Sequence, residues 1–324
     1  NNDPPLLSRA WITSCGECTM SFSIRWKWWR ARRMSFPHDE IHRAGDLAET
    51  RLAKLSRAAG RRNGWKIYES VRIPDPDGGR REIDMVIIGG NTMLVVEQKH
   101  WAGSFVITKE HHFVQNRNNG TQHNHDGVAD RIARKADLLA ALHNKRLGLT
   151  GDDELDFRVI VAMTHQRLEW PKIPSDLKAE MVNEAGFIKL LETTRPGELN
   201  QDLVETLEGF NTWDEVHLNG GLLLKGDVFG LGLGKDVDEW FAARTSDVNA
   251  NLTQRRSLFS LFSNNPTEVH LSRGSKNIEA KVPFGLTVNM HVVGEKRSRE
   301  VDWANIERIF VSKPPAEWAA HEMS

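Results

Sequence analysis

Cysteine is almost missing from this chain: its 324 residues hold two, Cys15 and Cys18. No disulfide framework can therefore support the fold. Their CxxC spacing has no second ligand pair to complete a structural zinc site, even counting His38 and His42, so no zinc is expected. No uninterrupted apolar stretch approaches the roughly 20 residues that cross a bilayer, and no signal-peptide core accompanies Arg9 and Trp11. A membrane partner is not expected, and the expected location is the cytoplasm. Net charge is lacking as well, at −1, but the balance is uneven along the chain. Residues 37–150 carry eighteen Lys and Arg against fourteen Asp and Glu, whereas residues 151–245 carry nine against nineteen. A polyanion would be drawn to the first stretch and repelled by the second. Surface charge that varies without functional consequence would give the same pattern.

What is present suits a soluble globular protein: 39% hydrophobic and 27% charged residues, in a chain long enough for two domains. Four segments emerge. Residues 1–36 crowd tryptophans among the arginines of the run Arg30 to Arg33, with no period that could bury them. They are expected to be irregular. Residues 1–33 are expected to be dispensable, with Met34 as an alternative start; a basic tail that touches nucleic acid is the competing reading. Residues 37–175 show a succession of α, three β, a short hairpin at 104–115, α and β. The first helix has a stripe at Ala48, Leu52, Leu55 and Ala59, ended by Gly60 and Gly64, and the second a stripe at Val128, Ile132, Lys135, Leu139 and Leu142. Residues 116–125 look like a polar loop. Residues 176–217 are acidic and helical, a connector. Residues 218–324 hold short strand candidates at 221–231, 257–262, 267–272, 277–283, 286–293 and 306–312, with one helix near 236–244. They suggest a small β-barrel or β-sandwich.

The densest information lies between residues 83 and 99. Two apolar runs, Ile83 to Ile88 and Thr92 to Val96, flank Gly89-Gly90-Asn91, a hairpin signal. With Gly90-Asn91 as the turn, Gly89 faces Thr92 and Asp84 faces Glu97. Directly opposed side chains have Cβ atoms roughly 4.5–5.5 Å apart. Lys99, two residues on, projects from the same face as Glu97. The rest of the hairpin is apolar on both sides, where an unpaired charge is costly and two carboxylates repel. A divalent cation resolves both problems, and hard oxygen ligands suit Mg²⁺ or Mn²⁺. Lys99 could then orient a water nucleophile or stabilise charge on a phosphate. Glu49, at the border of the first helical stripe, is a candidate fourth member. The competing reading is structural: an ion pair of Lys99 with Glu97 or Asp84, and a solvated Glu49.

Three stretches, Gly45-Asp46-Leu47-Ala48-Glu49, Glu82-Ile83-Asp84 and Val96-Glu97-Gln98-Lys99-His100-Trp101-Ala102-Gly103, resemble the NERD (nuclease-related) domain. That family belongs to the PD-(D/E)XK nuclease-like superfamily, and the resemblance covers roughly residues 40–165. It implies a restriction-endonuclease-like α/β core, a mixed sheet flanked by helices. It implies Asp84 and Glu97 as metal ligands, Lys99 as the catalytic lysine and Glu49 as the helix-borne acid. Where the family often has a glutamine in the next helix, Arg131 stands here, with Lys135 one turn later; both are expected to contact nucleic-acid phosphates. Trp101 is expected to be a packing aromatic. The implied activity is metal-dependent hydrolysis of DNA, with RNA not excluded. The β-rich C-terminal domain would grip substrate or bind a protein partner. The alternative is an inactive nuclease-fold protein that binds nucleic acid or serves assembly, since a fold does not fix a function. His123-Asn124-His125 and His111-His112 lack a metal-site setting. Gly230, Gly232 and Gly234 fit no phosphate loop and are expected to form a bend between strand and helix.

Overall fold

The computed structural model describes residues 22–37, 40–117, 119–149, 155–254 and 267–320. Cys15, Cys18, His38 and the strand candidate at 257–262 lie outside the described residues. In chain order the elements are α1 (Phe22–Ala31), α2 (Glu40–Asn63), β1 (Lys66–Pro74), β2 (Arg80–Gly89), β3 (Thr92–Lys99), β4 (Gly103–Ile107), β5 (Phe113–Asn116), β6 (Gln122–His125), α3 (Val128–Leu147), β7 (Asp156–Met163), β8 (Leu168–Glu169), β9 (Glu180–Asn183), α4 (Glu184–Thr193) and α5 (Gln201–Glu208). There follow β10 (Asp214–Leu218), β11 (Leu223–Gly230), α6 (Lys235–Ala242), β12 (Val248–Gln254), β13 (Thr267–Arg273), β14 (Lys276–Lys281), β15 (Thr287–Val292), β16 (Arg299–Asp302), β17 (Ile306–Val311) and α7 (Glu317–Ala320).

The first domain is a mixed α/β sheet in the order β1-β2-β3-β7-β9, antiparallel through β3 and parallel beyond it. Its two faces separate as the hairpin alternation requires. Met85, Ile87, Leu94 and Val96 pack with Leu52 and Ala53 of α2 and Phe187 and Leu191 of α4. Val86, Ile88, Met93 and Val95 pack with Ile132 and Leu139 of α3 and Leu203 of α5. The α2 stripe runs through Ala48, Leu52, Ser56 and Ala59, whereas Leu55, expected on it, is exposed. Gly60 does not end the helix: α2 continues to Asn63 and crosses β1 closely there. A Cβ at Gly60 would lie 2.7 Å from Ile67 Cδ1.

Three expectations need correction. Residues 122–125, taken as loop, form β6, an edge strand of a second sheet ordered β6-β5-β4-β8. Three of its four residues are exposed, so no apolar alternation marks it. The acidic stretch from 176 is not only a helical connector. It supplies β9, which pairs parallel with β7, and then α4 and α5, capped by the Asn183 and Asn200 side chains. Residues 22–31, expected to be irregular, form α1. Trp28 is 4% exposed and packs against Phe284 and Ala304, and Arg32 stacks on it from the next turn. A helix anchored by one tryptophan shows no repeating stripe.

The C-terminal region is one eight-stranded antiparallel sheet, ordered β14-β13-β12-β17-β10-β11-β15-β16. Residues from across it, among them Val216, Val269, Val288 and Trp303, share a single core, so the sheet curls upon itself. Bulges at His217/Leu218 and Val228/Gly230 assist the bend. The glycine-rich run after β11 is the expected bend into α6, with positive φ at Gly232 and Gly234. The two domains are latched by buried Arg72 of β1, which forks onto Asp227 at 2.7 and 3.1 Å and lies 3.4 Å from the Trp213 ring centroid. Trp213 Nε1 in turn donates to Glu82 at 2.6 Å.

Candidate active site

The β2–β3 register runs as the turn dictates, from Gly89–Thr92 to Met85–Val96, and stops one step short of Asp84–Glu97. On the other side of β2 the ladder also skips Asp84: β1 pairs through Glu69–Met85 and Val71–Ile83, and the intervening Ser70 has φ +49°. The backbone is thus released around Asp84 on both flanks, with a non-glycine residue in the left-handed region facing it. The freed Gln98 N–H donates instead to Asp84 Oδ2 at 2.8 Å.

Glu97 lies beside it on the next strand, with 15% of its side chain exposed. Lys99 Nζ donates to its Oε1 at 2.7 Å, and Lys135 Nζ, reaching from α3, donates to Oε2 at 2.8 Å. The electrostatics divide the two acids. Burial, reinforced by the neighbouring Glu97, pushes the Asp84 carboxyl up to about 7. Burial would also raise Glu97, but Lys99 and Lys135 outweigh it and hold that carboxyl below its ordinary value. Burial would depress Lys99, yet Glu97 and Asp84 keep its ammonium above the usual lysine range. One acid is poised to gain or lose a proton near neutrality beside one that stays ionised.

Glu49 projects from α2 into a cavity of about 310 Å³ that Asp84, Ser70 and Gln98 also line. Burial, with help from Glu82 and Asp46, raises its carboxyl, and Lys225 opposes that shift. Lys135 sits on Glu97 itself. Arg131, one turn earlier, is exposed and donates to the Asp126 carbonyl. Trp101 packs as expected, edge-on to Phe105 and Phe113, and its other face is stacked by His125 at 4.0 Å. Sequence reasoning missed Ser70, whose distortion has no sequence signature, and the far wall of the cavity. Glu215, His217, Lys225 and Arg308 of the C-terminal sheet form that wall.

Among the described residues no group of three or more His, Cys, Asp or Glu side chains could hold a metal ion. The donor set nevertheless suits a hard cation that keeps most of its waters, since Mg²⁺ is commonly bound through one or two carboxylates. Asp84 and Glu97 could supply those two, and Glu49 lines the cavity beside Asp84 from α2.

No curated protein and no solved structure matches the chain. One family model does: residues 44–162, from within the Glu49 helix through the strand that follows α3, match the nuclease-related domain, NERD, a family of the PD-(D/E)XK nuclease-like superfamily.

Proposed function

We propose that this protein is a divalent-metal-dependent nuclease that hydrolyses the phosphodiester bonds of DNA. The observation that carries the reading is the pair Asp84 and Glu97, placed side by side where the β2 ladder opens, with Lys99 on Glu97. Structural need alone does not account for two neighbouring carboxylates in a half-buried strand pair. Asp84 and Glu97 would hold Mg²⁺ or Mn²⁺ through their oxygens, and the ion, when bound, supplies Lewis-acid polarisation of the phosphate and a more acidic water.

The chain's own groups do the remainder. Lys99, released from Glu97 Oε1, orients the attacking water or donates to a phosphate oxygen as negative charge builds there. Lys135 keeps Glu97 ionised and compensates the charge of the cleft, while Arg131, exposed on the same helix, would turn from the Asp126 carbonyl to meet a phosphate of the flanking strand. Glu49, whose carboxyl burial raises above its ordinary value, is suited to pass a proton toward the cavity or to share in holding the ion.

The doubled ion pair on Glu97 favours one other reading, an inactive scaffold whose lysines, not a metal, neutralise the carboxylate and which binds nucleic acid without cutting it. Incubation with single- and double-stranded DNA, and with RNA, in Mn²⁺, Mg²⁺ or EDTA separates the two. Cleavage is expected with metal and none in EDTA. Binding without cleavage under every metal would overturn the enzymatic reading.

A further inference from the structure

The cavity beside Asp84 is closed by a wall that the nuclease domain does not own. On β10, β11 and β17 the residues Val216, Leu218, Leu224 and Ile309 point into the C-terminal core, so their alternates face the other way. Register sets Glu215 opposite Lys225 and His217 opposite Arg308, and all four line the cavity with Glu49 and Asp84. The wall is ordered by its own bonds. His217 Nε2 lies 3.0 Å from Glu215 Oε2, and Arg308 Nη2 lies 3.5 Å from His217 Nδ1.

Lys225 is different. Glu215 is engaged by His217, and among the described residues no carboxylate comes within ion-pairing distance of Lys225, although Glu82, Glu49 and Asp46 stand further off around it. A partly buried ammonium among acids that it does not touch is a weak structural tie. Lys225, Glu49 and Asp46 line one cavity of about 310 Å³, roomy enough to hold several waters.

We propose that Lys225, brought in by the C-terminal sheet, is a substrate-phosphate ligand of the nuclease cleft, its ammonium taking a nonbridging oxygen of the nucleic-acid phosphodiester that lies against Asp84. Arg308, one strand away on the same face, lines the route of the neighbouring phosphate. The NERD domain alone is then an incomplete site. Glu49 and Asp84 repel a bare phosphate, so the contact forms only when a divalent cation neutralises them.

The inference rests on the nuclease reading, and the test separates the two. The full chain carrying Lys99→Met keeps both carboxylates but cannot turn over. Its binding to fluorescein-labelled DNA in Mg²⁺ is compared, across a salt series, with that of Lys99→Met/Lys225→Met and Lys99→Met/Lys225→Arg. Lys225→Met should weaken binding about three- to tenfold and flatten the slope of log K against log salt by about 0.7–0.9, the share of one phosphate. Lys225→Arg should restore both, and the melting temperatures of all three should agree. Equal affinity and slope for the Met and parent chains would overturn the assignment while leaving the nuclease reading intact. Equal loss in Met and Arg together with a fall in melting temperature would make Lys225 a structural cation and overturn it as well. A parent chain that binds no DNA would overturn both.

Discussion

Asp84 and Glu97 are neighbours with opposite electrostatic fates, and removing them should have opposite effects. Glu97 is the anchor of two ammonium groups. Its replacement by Gln leaves Lys99 and Lys135 half-buried beside each other, at a cost of about 1–3 kcal/mol. Asp84→Asn removes a charge that burial disfavours and should stabilise the metal-free protein above pH 7. The simpler expectation from sequence, that losing either carboxylate relieves repulsion, holds only if both acids are unpaired. The sign of the pH dependence follows. Asp84 has a folded pKa of about 7, above its unfolded value of about 3.9, so the folded state binds more protons between those values. Its contribution to stability is present below about pH 4 and is lost as pH rises toward 7. Urea unfolding in EDTA at a series of pH values should show a steeper decline between about pH 4 and 7 in the parent chain than in Asp84→Asn. Both Glu97→Gln and Lys99→Ala should lose cleavage with the fold intact, as read by circular dichroism; activity surviving in either would remove it from the mechanism.

Strands and helices were legible where they carry a period and obscure where a partner supplies what they lack. The β2–β3 hairpin could be read to the residue because both strands are apolar and Gly90, at φ +55°, marks the turn. A side chain at Gly90 would collide with the Pro196 carbonyl, which no local pattern announces. β6, β9, β12 and β16 escaped notice because they are short, polar or exposed, and exist as strands through the neighbours they pair with rather than through an apolar period of their own. Asp214 at the start of β10 illustrates this dependence. Its oxygens accept from Val228 N at 2.7 Å and Ser312 N at 2.9 Å, stitching β10 to its two neighbours. Asp214→Ala would orphan two buried N–H groups, each costing about 1–3 kcal/mol. Burial lifts this carboxyl to about 6, so its contribution too falls away as pH rises from about 4 to 6. Thermal unfolding at pH 5 and pH 8 should show Asp214→Ala destabilised at both; a melting temperature equal to the parent's would mean the two amides find other partners.

Across the molecule, the least legible feature was the joining of the two domains. The cavity gathers residues as distant in sequence as Asp46 and Arg308, and no periodicity or spacing connects them. Residues 22–31 were misjudged as irregular for the same reason. Trp28 is buried by Phe284 and Ala304, and Asn219 donates to the Arg32 carbonyl at 3.4 Å. A chain beginning at Met34 should therefore not be neutral, contrary to what the sequence suggests. Trp28→Ala alone should cost about 3–5 kcal/mol if the site cannot collapse, and a truncated chain should melt lower and expose Phe284. An unchanged melting temperature would restore the view that the segment is dispensable. Binding to DNA is expected to be weak and independent of sequence, since the basic surplus of residues 37–150 is small. A salt slope near −8 would indicate a far larger cationic surface.

The order in which the walls of the cleft occur along the chain has a consequence for synthesis. Translation delivers the two carboxylates and Lys99 ahead of the strands that fix them: β3 gains its parallel neighbour β7 only after residue 163, and β9 follows at 180–183. Arg308 is the last of the cavity's lining residues to arrive. While a ribosome is still at work, the growing chain holds the reactive acids without the sheet that fixes them or the wall that completes their cleft. On the proposed nuclease reading, a chain emerging beside its own messenger has no complete cleft until β17 has been made. Ribosome-tethered chains arrested before residue 300 should not cleave nucleic acid, and released full-length chains should; cleavage by the arrested chains would show that the first domain needs no such completion.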